Sequence, residues 1–354
     1  MNRLGIGLLT LLVMGHAATT HAQNIAGWHA SADVLWVTTH GNDDRIGDVI
    51  VSETTLGGSS NTSTLTTSPI APQLDRTPSF LVEAGYRGGG WGYGGRGWRV
   101  SSDGDAGETV TTTSAPVGLR TSSVRLWNQT VAPFTNIGEP AGRSPLTYHA
   151  SNELQHVRVE GYAERLWLNG PAGTVGMRFG LAYAHSEHDR HADLSNQSRT
   201  NTSPTTVVDE TTATTAETTF DLIGPLFGIT GDTPLKRLHV SWLISASALI
   251  GTADGSATFE LTDVTRSLLT GTTSTGILRM PWADEARVLV PALDLQLKAS
   301  YPIAARVDVG GGIFSSSLFD MPVTPAFDNH TGGWTRQTRD ISFLAYSVFA
   351  RVGF

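Results

Sequence analysis

The stretch that decides the fold is Thr174-Val175-Gly176-Met177-Arg178-Phe179-Gly180-Leu181-Ala182-Tyr183-Ala184-His185. Val175, Met177, Phe179, Leu181 and Tyr183 share one face of an extended chain, and Gly176, Arg178, Gly180, Ala182 and Ala184 share the other. Side chains along a strand point to alternate faces, so this pattern predicts a strand with one apolar face and one polar or small face. It does not fit the 3.6-residue period of an amphipathic helix.

Working outward, similar segments lie near 28–38, 79–88, 91–101, 153–166, 218–229, 238–251, 286–300, 304–319 and 339–354, which makes ten strands with 174–185. Leu289, Leu293, Leu295 and Leu297 oppose Asp294, Gln296 and Lys298. Phe80, Val82, Ala84 and Tyr86 oppose Glu83 and Arg87, while Val157, Val159 and Ala163 oppose Arg158, Glu160 and Glu164. Trp28, Ala30, Ala32, Val34 and Trp36 share a face, which leaves Asp33 on the other. Eight residues at ~3.3 Å, tilted by ~40°, set Trp28 and Trp36 roughly 20 Å apart along the membrane normal. That is close to the spacing of the two aromatic girdles of a transmembrane barrel. In 91–101, Gly92, Gly94, Gly95 and Gly97 leave the facing open.

The connections select the architecture. Short ones (89–90, 167–173, 230–237, 301–303) alternate with long polar ones near 39–78, 102–152, 186–217, 252–285 and 320–338. Loops this long count against a compact soluble domain, but they suit a barrel with tight turns at one rim and external loops at the other. A bilayer has no water for unpaired backbone groups, so a spanning sheet must close on itself. The expected fold is all-β, a closed antiparallel up-and-down transmembrane barrel of about ten strands. Strands hidden in 39–78 or 102–152 would raise the number to twelve. The competing fold, a secreted β-sandwich, accounts for the strand patterning but not for the alternation of loop lengths.

The 354 residues include 16% charged, 39% apolar, 39 Gly and no Cys, with a net charge of −8. A mean hydropathy of −0.09 excludes a helical membrane bundle. The acidic balance argues against nucleic acid as a partner, and the missing cysteines exclude disulfides and thiolate metal sites. At the start, Arg3 precedes the apolar run Leu4–Met14 and small residues follow up to Ala22. This reads as a signal peptide over 1–22, cleaved near Ala22, with the barrel occupying 23–354. The run is too short to span a bilayer, which takes ~20 apolar residues.

At the other end, Tyr346, Val348, Ala350, Val352 and Phe354 alternate up to a terminal aromatic. This resembles the signal by which outer-membrane barrels are passed to the barrel-assembly machinery. Several stretches also resemble the Legionella-type major outer-membrane protein family. They are Gly27–Trp36, Ala84-Gly85-Tyr86-Arg87, Val159-Glu160-Gly161-Tyr162 with Gly180–Ala184, Phe220–Gly228 leading to Ser245–Gly251, and Val290–Leu297. The resemblance follows the strands from 27 to 354 and lapses in the long connections. It implies a pore-forming barrel in a bacterial outer membrane, without the cysteine-linked oligomers of the original members.

The expected lumen-lining residues are Asp33, Glu83, Arg87, Arg158, Glu160, Glu164, Arg178, Asp294, Lys298, Arg306, Asp308 and Arg351. They either line a hydrated passage of weak ion preference or pair across the interior and fill it. Ten strands lie close to the size that side chains just fill. The expected girdle is Trp28, Trp36, Tyr86, Tyr183 and Tyr346. His185, Glu187 and Asp189 in the run His185-Ser186-Glu187-His188-Asp189 share a face and could gather a divalent metal or act as an acid–base set. Solvated rim charges are the commoner use of such residues, so no metal, cofactor or enzymatic role is expected. The Thr-rich runs Thr111–Ser114 and Asn201–Thr219 read as hydrated loops, and Gly88-Gly89-Gly90 as a hairpin turn.

The leading expectation is passive diffusion of small hydrophilic solutes or ions through the barrel. The alternative is a plugged structural or adhesive barrel acting through its external loops, and a rim hydrolase ranks third. Outer-membrane lipid is the expected surround, and no trimer interface is legible.

Overall fold

The structure, a computed structural model, describes residues 27–41, 47–57, 60–110, 118–126, 146–170, 172–199, 206–328 and 333–354. The leader expected over 1–22 and the run Thr111–Ser114 lie outside the described residues. In chain order the first strands are β1 (Gly27–His40), β2 (Gly47–Gly57), β3 (Ser60–Ile70), β4 (Thr77–Gly88), β5 (Trp91–Val110) and β6 (Gly118–Leu126). They are followed by β7 (Leu146–Gly170), β8 (Gly173–Arg199), β9 (Thr206–Leu235), β10 (Leu238–Ser267), β11 (Thr273–Ala304), β12 (Val307–Asp328) and β13 (Gly333–Gly353).

Ten strands form a closed antiparallel barrel in the order β1-β4-β5-β7-β8-β9-β10-β11-β12-β13, and β13 pairs back onto β1. The strands inside 39–78 and 102–152 do not enlarge the ring; β2, β3 and β6 form a separate sheet ordered β3-β2-β6. The β4–β5 turn rests on Gly89 and Gly90, whose φ values of +62° and +81° suit residues without a Cβ.

The outer face follows the alternation read from the sequence. Met177, Phe179, Leu181 and Tyr183 on β8, Ile223, Phe227 and Ile229 on β9, and Leu289, Leu295 and Leu297 on β11 are each at least 40% exposed. A continuous apolar belt of this size is unstable in water, and lipid is the solvent that suits it.

One feature differs from expectation, and another decides between two readings of the interior. First, most of the long connections are strand. β9 and β10 are 30 residues long and β11 is 32. At ~3.3 Å per residue and a tilt of ~40°, 30 residues rise roughly 75 Å, about three times the height of a barrel's ~25 Å apolar band. The expected loop 252–285 is the far half of the β10–β11 hairpin, paired from Gly251↔Val288 to Arg266↔Thr273. The expected loops 186–217 and 320–338 are likewise largely strand, and the Thr-rich run enters β9 at Thr206. Beyond the belt the outer face meets water, so the apolar alternation disappears while the β-branched threonines keep the chain extended. Thr212, Thr214, Ala216 and Thr218 point inward there and are buried.

Second, the interior is filled. Leu35, Val37, Leu81, Trp98, Leu154, Phe220, Phe314 and Phe343 are among the side chains that pack into one core inside the ring. The sequence shows this where apolar residues run without a break, as in Val34-Leu35-Trp36-Val37, Leu222-Ile223 and Leu289-Val290. In these runs both faces of the strand are apolar, one turned to the outer belt and one to the interior core.

Two substitutions distinguish the two apolar environments. Phe343→Ala empties part of the interior and is expected to cost about 3–5 kcal/mol in any folding medium. Leu181→Arg puts a charge on the lipid face and should cost about 2–4 kcal/mol in vesicles near the bilayer midplane. Urea unfolding of refolded protein in vesicles and in detergent micelles reads both.

Candidate functional site

The inward face carries its charges in layers. At the waist, β5 supplies Arg96, β7 supplies Arg158 and Glu160, and β11 reaches across with Asp294. Arg96 Nη2 lies 2.8 Å from Glu160 Oε2 and 3.4 Å from Asp294 Oδ2. Arg158 Nε lies 3.0 Å from Glu160 Oε1, and its Nη2 lies 2.8 Å from Asp294 Oδ2. Arg158 Nη2 also donates to Ser247 Oγ at 3.0 Å, and Ser245 Oγ donates to Asp294 Oδ2 at 3.4 Å. All four charged side chains are at most 1% exposed. Two guanidinium groups and two carboxylates thus form a neutral diaphragm that ties opposite walls together.

Above it sits an aromatic layer. The Trp98 ring lies 5.2 Å from both Phe314 and Phe343, and His156 stacks on Phe343 at 5.0 Å.

Toward the tight-turn rim a second network forms. Arg178 Nη2 lies 3.2 Å from Glu83 Oε1 and 3.3 Å from Glu164 Oε2, and Arg87 holds the other Glu164 oxygen at 3.0 Å. Tyr162 Oη donates to Glu83 at 2.5 Å, and the Arg178 guanidinium lies 3.6 Å above the Tyr162 ring. Lys298 Nζ pairs with Asp33 at 2.7 Å. Tyr162 fits because its neighbour on β5 is Gly94, where a Cβ would come within 2.7 Å of the Tyr162 hydroxyl.

Nine of the twelve expected inward residues enter these networks: Asp33, Glu83, Arg87, Arg158, Glu160, Glu164, Arg178, Asp294 and Lys298. Asp308 and Arg351 face each other across β12 and β13 near the rim. Arg306 is a correction. β11 ends at Ala304 and β12 begins at Val307, so Arg306 lies in the turn and is exposed. Arg96 is the residue sequence reasoning missed. Its strand was obscured by glycines, although placing Trp91 and Tyr93 outward, as girdle aromatics, turns Arg96 inward.

Trp28, Trp36, Tyr86, Tyr183 and Tyr346 all point outward and are exposed. Trp28 pairs with Tyr86 and Trp36 with Tyr346. Tyr346, Val348 and Phe354 are exposed, and Ala350 and Val352 are half-buried. The Phe354 N–H donates to the Trp28 carbonyl at 2.8 Å.

The run from His185 to Asp189 is divided by the strand. His185 faces out and lies 3.0 Å from Asp221. Ser186 and His188 face in and are buried, Ser186 against His156 Nδ1 and His188 against Asn152 Oδ1, both at 2.7 Å. Glu187 and Asp189 meet Glu217 of β9 instead of His185; carboxylate oxygens of the three lie within 4.8 Å of one another. Partial burial and the charges of Glu217, Glu187 and Glu153 push the Asp189 carboxyl up to about 6.

No family model matches the chain, and no curated protein matches it. Among solved structures, the outer membrane protease OmpT from Escherichia coli is similar at 10% identity and a TM-score of 0.43. That match covers 95% of this chain and 99% of that one. The toluene transporter TodX of P. putida is similar at 9% identity and a TM-score of 0.25, over 93% of this chain and 90% of that one. A FadL homologue of Pseudomonas aeruginosa is similar at 8% identity and a TM-score of 0.22, over 93% and 90%.

Asp294→Ala removes the carboxylate shared by two buried guanidinium groups and is expected to lower stability by about 3–5 kcal/mol in equilibrium unfolding. Asp189 behaves oppositely. Its folded-state proton affinity is raised above the ordinary 3.8, so its stabilising effect is complete below about pH 4 and is lost as pH rises through about 6. Asp189→Asn should therefore gain stability at pH 8, on the order of 1 kcal/mol once solvent screening is counted, and none at pH 4. Urea titrations at the two pH values check this.

Proposed function

We propose that the chain is an outer-membrane barrel that holds its bilayer section shut and works through the part beyond the lipid, as a structural or adhesive surface protein. The observation that carries this reading is the diaphragm of Arg96, Arg158, Glu160 and Asp294, with side chains at most 1% exposed. Diffusion of hydrophilic solutes, the first expectation from the strand pattern, needs a gap at this level. The layer is charge-balanced and crossed by direct ion pairs, and Trp98, Phe314 and Phe343 cover it. The resemblance of the strands to the Legionella-type family supports the outer-membrane setting, and the closed interior weighs against carrying over the pore.

Two further features fit a surface role. The strands rise far past the apolar belt. At the far end of the β10–β11 hairpin, Leu268 and Leu269 are 57% and 78% exposed, although no lipid belt reaches them. Exposed apolar side chains remote from lipid are what a contact surface presents. A hydrolase at the rim gains no support, because the strand turns His185 outward beside Asp221 and buries His188 in the interior at 0% exposure.

Planar-bilayer recording decides between the closed barrel and the pore. Purified wild-type protein is expected to give no discrete conductance steps across salts and voltages. The charge-balanced double variant Arg158→Ala with Asp294→Ala, which thins the diaphragm, should conduct. Steady steps from the wild type would overturn the closed-barrel reading.

A further inference from the structure

Between the diaphragm and the tight-turn rim lies a polar cavity of about 60 Å³. A water molecule needs ~10–15 Å³ on this measure, so the space holds several waters or one small tetrahedral ion. Its wall includes Arg178, Arg351, Lys298 and Arg87 together with the carboxylates Glu83, Glu164 and Asp232, the last of which lies 3.8 Å from His239 Nδ1. The Arg87 side chain keeps 42% exposure, which places this end of the network against solvent.

The wall carries more donors than its partners use. Glu83 is held by Arg178 and Tyr162, and Glu164 by Arg178 and Arg87. Lys298 is paired with Asp33. Arg178 is only 6% exposed, yet its Nε and Nη1 have no hydrogen-bond partner. The same holds for Gln296 Nε2 on the same wall. Buried donors left unmatched are costly and point to an acceptor that completes the site. A water would bring two donors of its own into a site whose nearest carboxylates are already engaged. An anion brings acceptors alone and meets the Arg351 and Arg178 charges as well.

We infer that this cavity is a binding site for a small oxyanion of the size of inorganic phosphate, entering from the tight-turn mouth. Arg351 and Arg178 supply the charge, and Gln296 supplies a neutral donor. The site faces the barrel axis and not the lipid belt, so a free ion, not a lipid headgroup, is its occupant.

The test is calorimetric titration of the refolded full-length barrel in zwitterionic detergent with inorganic phosphate, beside a chloride titration at matched ionic strength. Saturable one-to-one binding of phosphate is expected. Arg351→Gln and Gln296→Leu should each weaken it about tenfold, the size of a lost charge-assisted or buried hydrogen bond. Arg306→Gln, on the exposed turn outside the cavity, should bind as the wild type does. Arg351 lies outside the ion pairs that hold the two networks together, so its variant leaves them in place, and heat-modifiable gel migration verifies that each variant is folded. Absence of saturable heat, an equal response to chloride, or unchanged affinity in folded Arg351→Gln would each overturn the assignment.

Discussion

A guanidinium group inside a barrel needs a carboxylate within reach, and the partner of Arg96 and Arg158 comes from the opposite wall. Asp294 of β11 answers both, with Glu160 completing the set. Taking four charges out of water is costly, so the arrangement persists only because each is paired at short range and Ser245 and Ser247 take up part of the remaining hydrogen bonding. The size of the ring follows from the same requirement. Ten strands bring opposite walls close enough for side chains to meet, where a ring of sixteen would leave them apart across water. Closure of the sheet, filling of the interior and the pairing across the diaphragm are therefore one constraint seen at three scales.

Above the diaphragm the chain changes solvent while keeping its secondary structure. Within the belt, apolar side chains face lipid; beyond it, the outer wall of β7 to β11 carries Glu153, Glu187, Asp189, Glu217, Asp254 and Glu285. The interior changes less abruptly. Tyr148, Ala150, Ala192, Leu194, Ala216 and Ala257 form a second buried cluster that keeps the extended hairpins packed together. Apart from a break in the β9–β10 ladder at Gly224-Pro225, strand pairing continues along β8, β9 and β10, so the extension continues the same barrel wall.

How far the sequence could be read depended on which solvent each face meets. β8 was legible because lipid on one side and polar partners on the other impose strict alternation, and Arg178 falls where that alternation puts it. The ten-strand ring followed from repeats of the pattern. The upper hairpins were not legible, since Thr206–Thr219 meets water outside and small side chains inside and has no apolar period to reveal. Arg96 was hidden for a different reason: Gly92, Gly94, Gly95 and Gly97 carry no side chains to mark a face, and it is the Tyr162 ring on the neighbouring strand that requires the gap at Gly94. Arg306 was misplaced because the expected strand began three residues before β12 does, at a strand end where turn and strand differ only in backbone angles.

The seam of the ring joins residues near the two ends of the described chain: His29 lies opposite Gly353, and the backbone N–H of Phe354 donates to the Trp28 carbonyl. Until β13 is in place, β1 has an unpaired edge that lipid cannot satisfy. A nascent chain therefore cannot seal itself piecemeal. A ring that lacks β13 keeps two open, sticky borders, one on β1 and one on β12, where another chain can add.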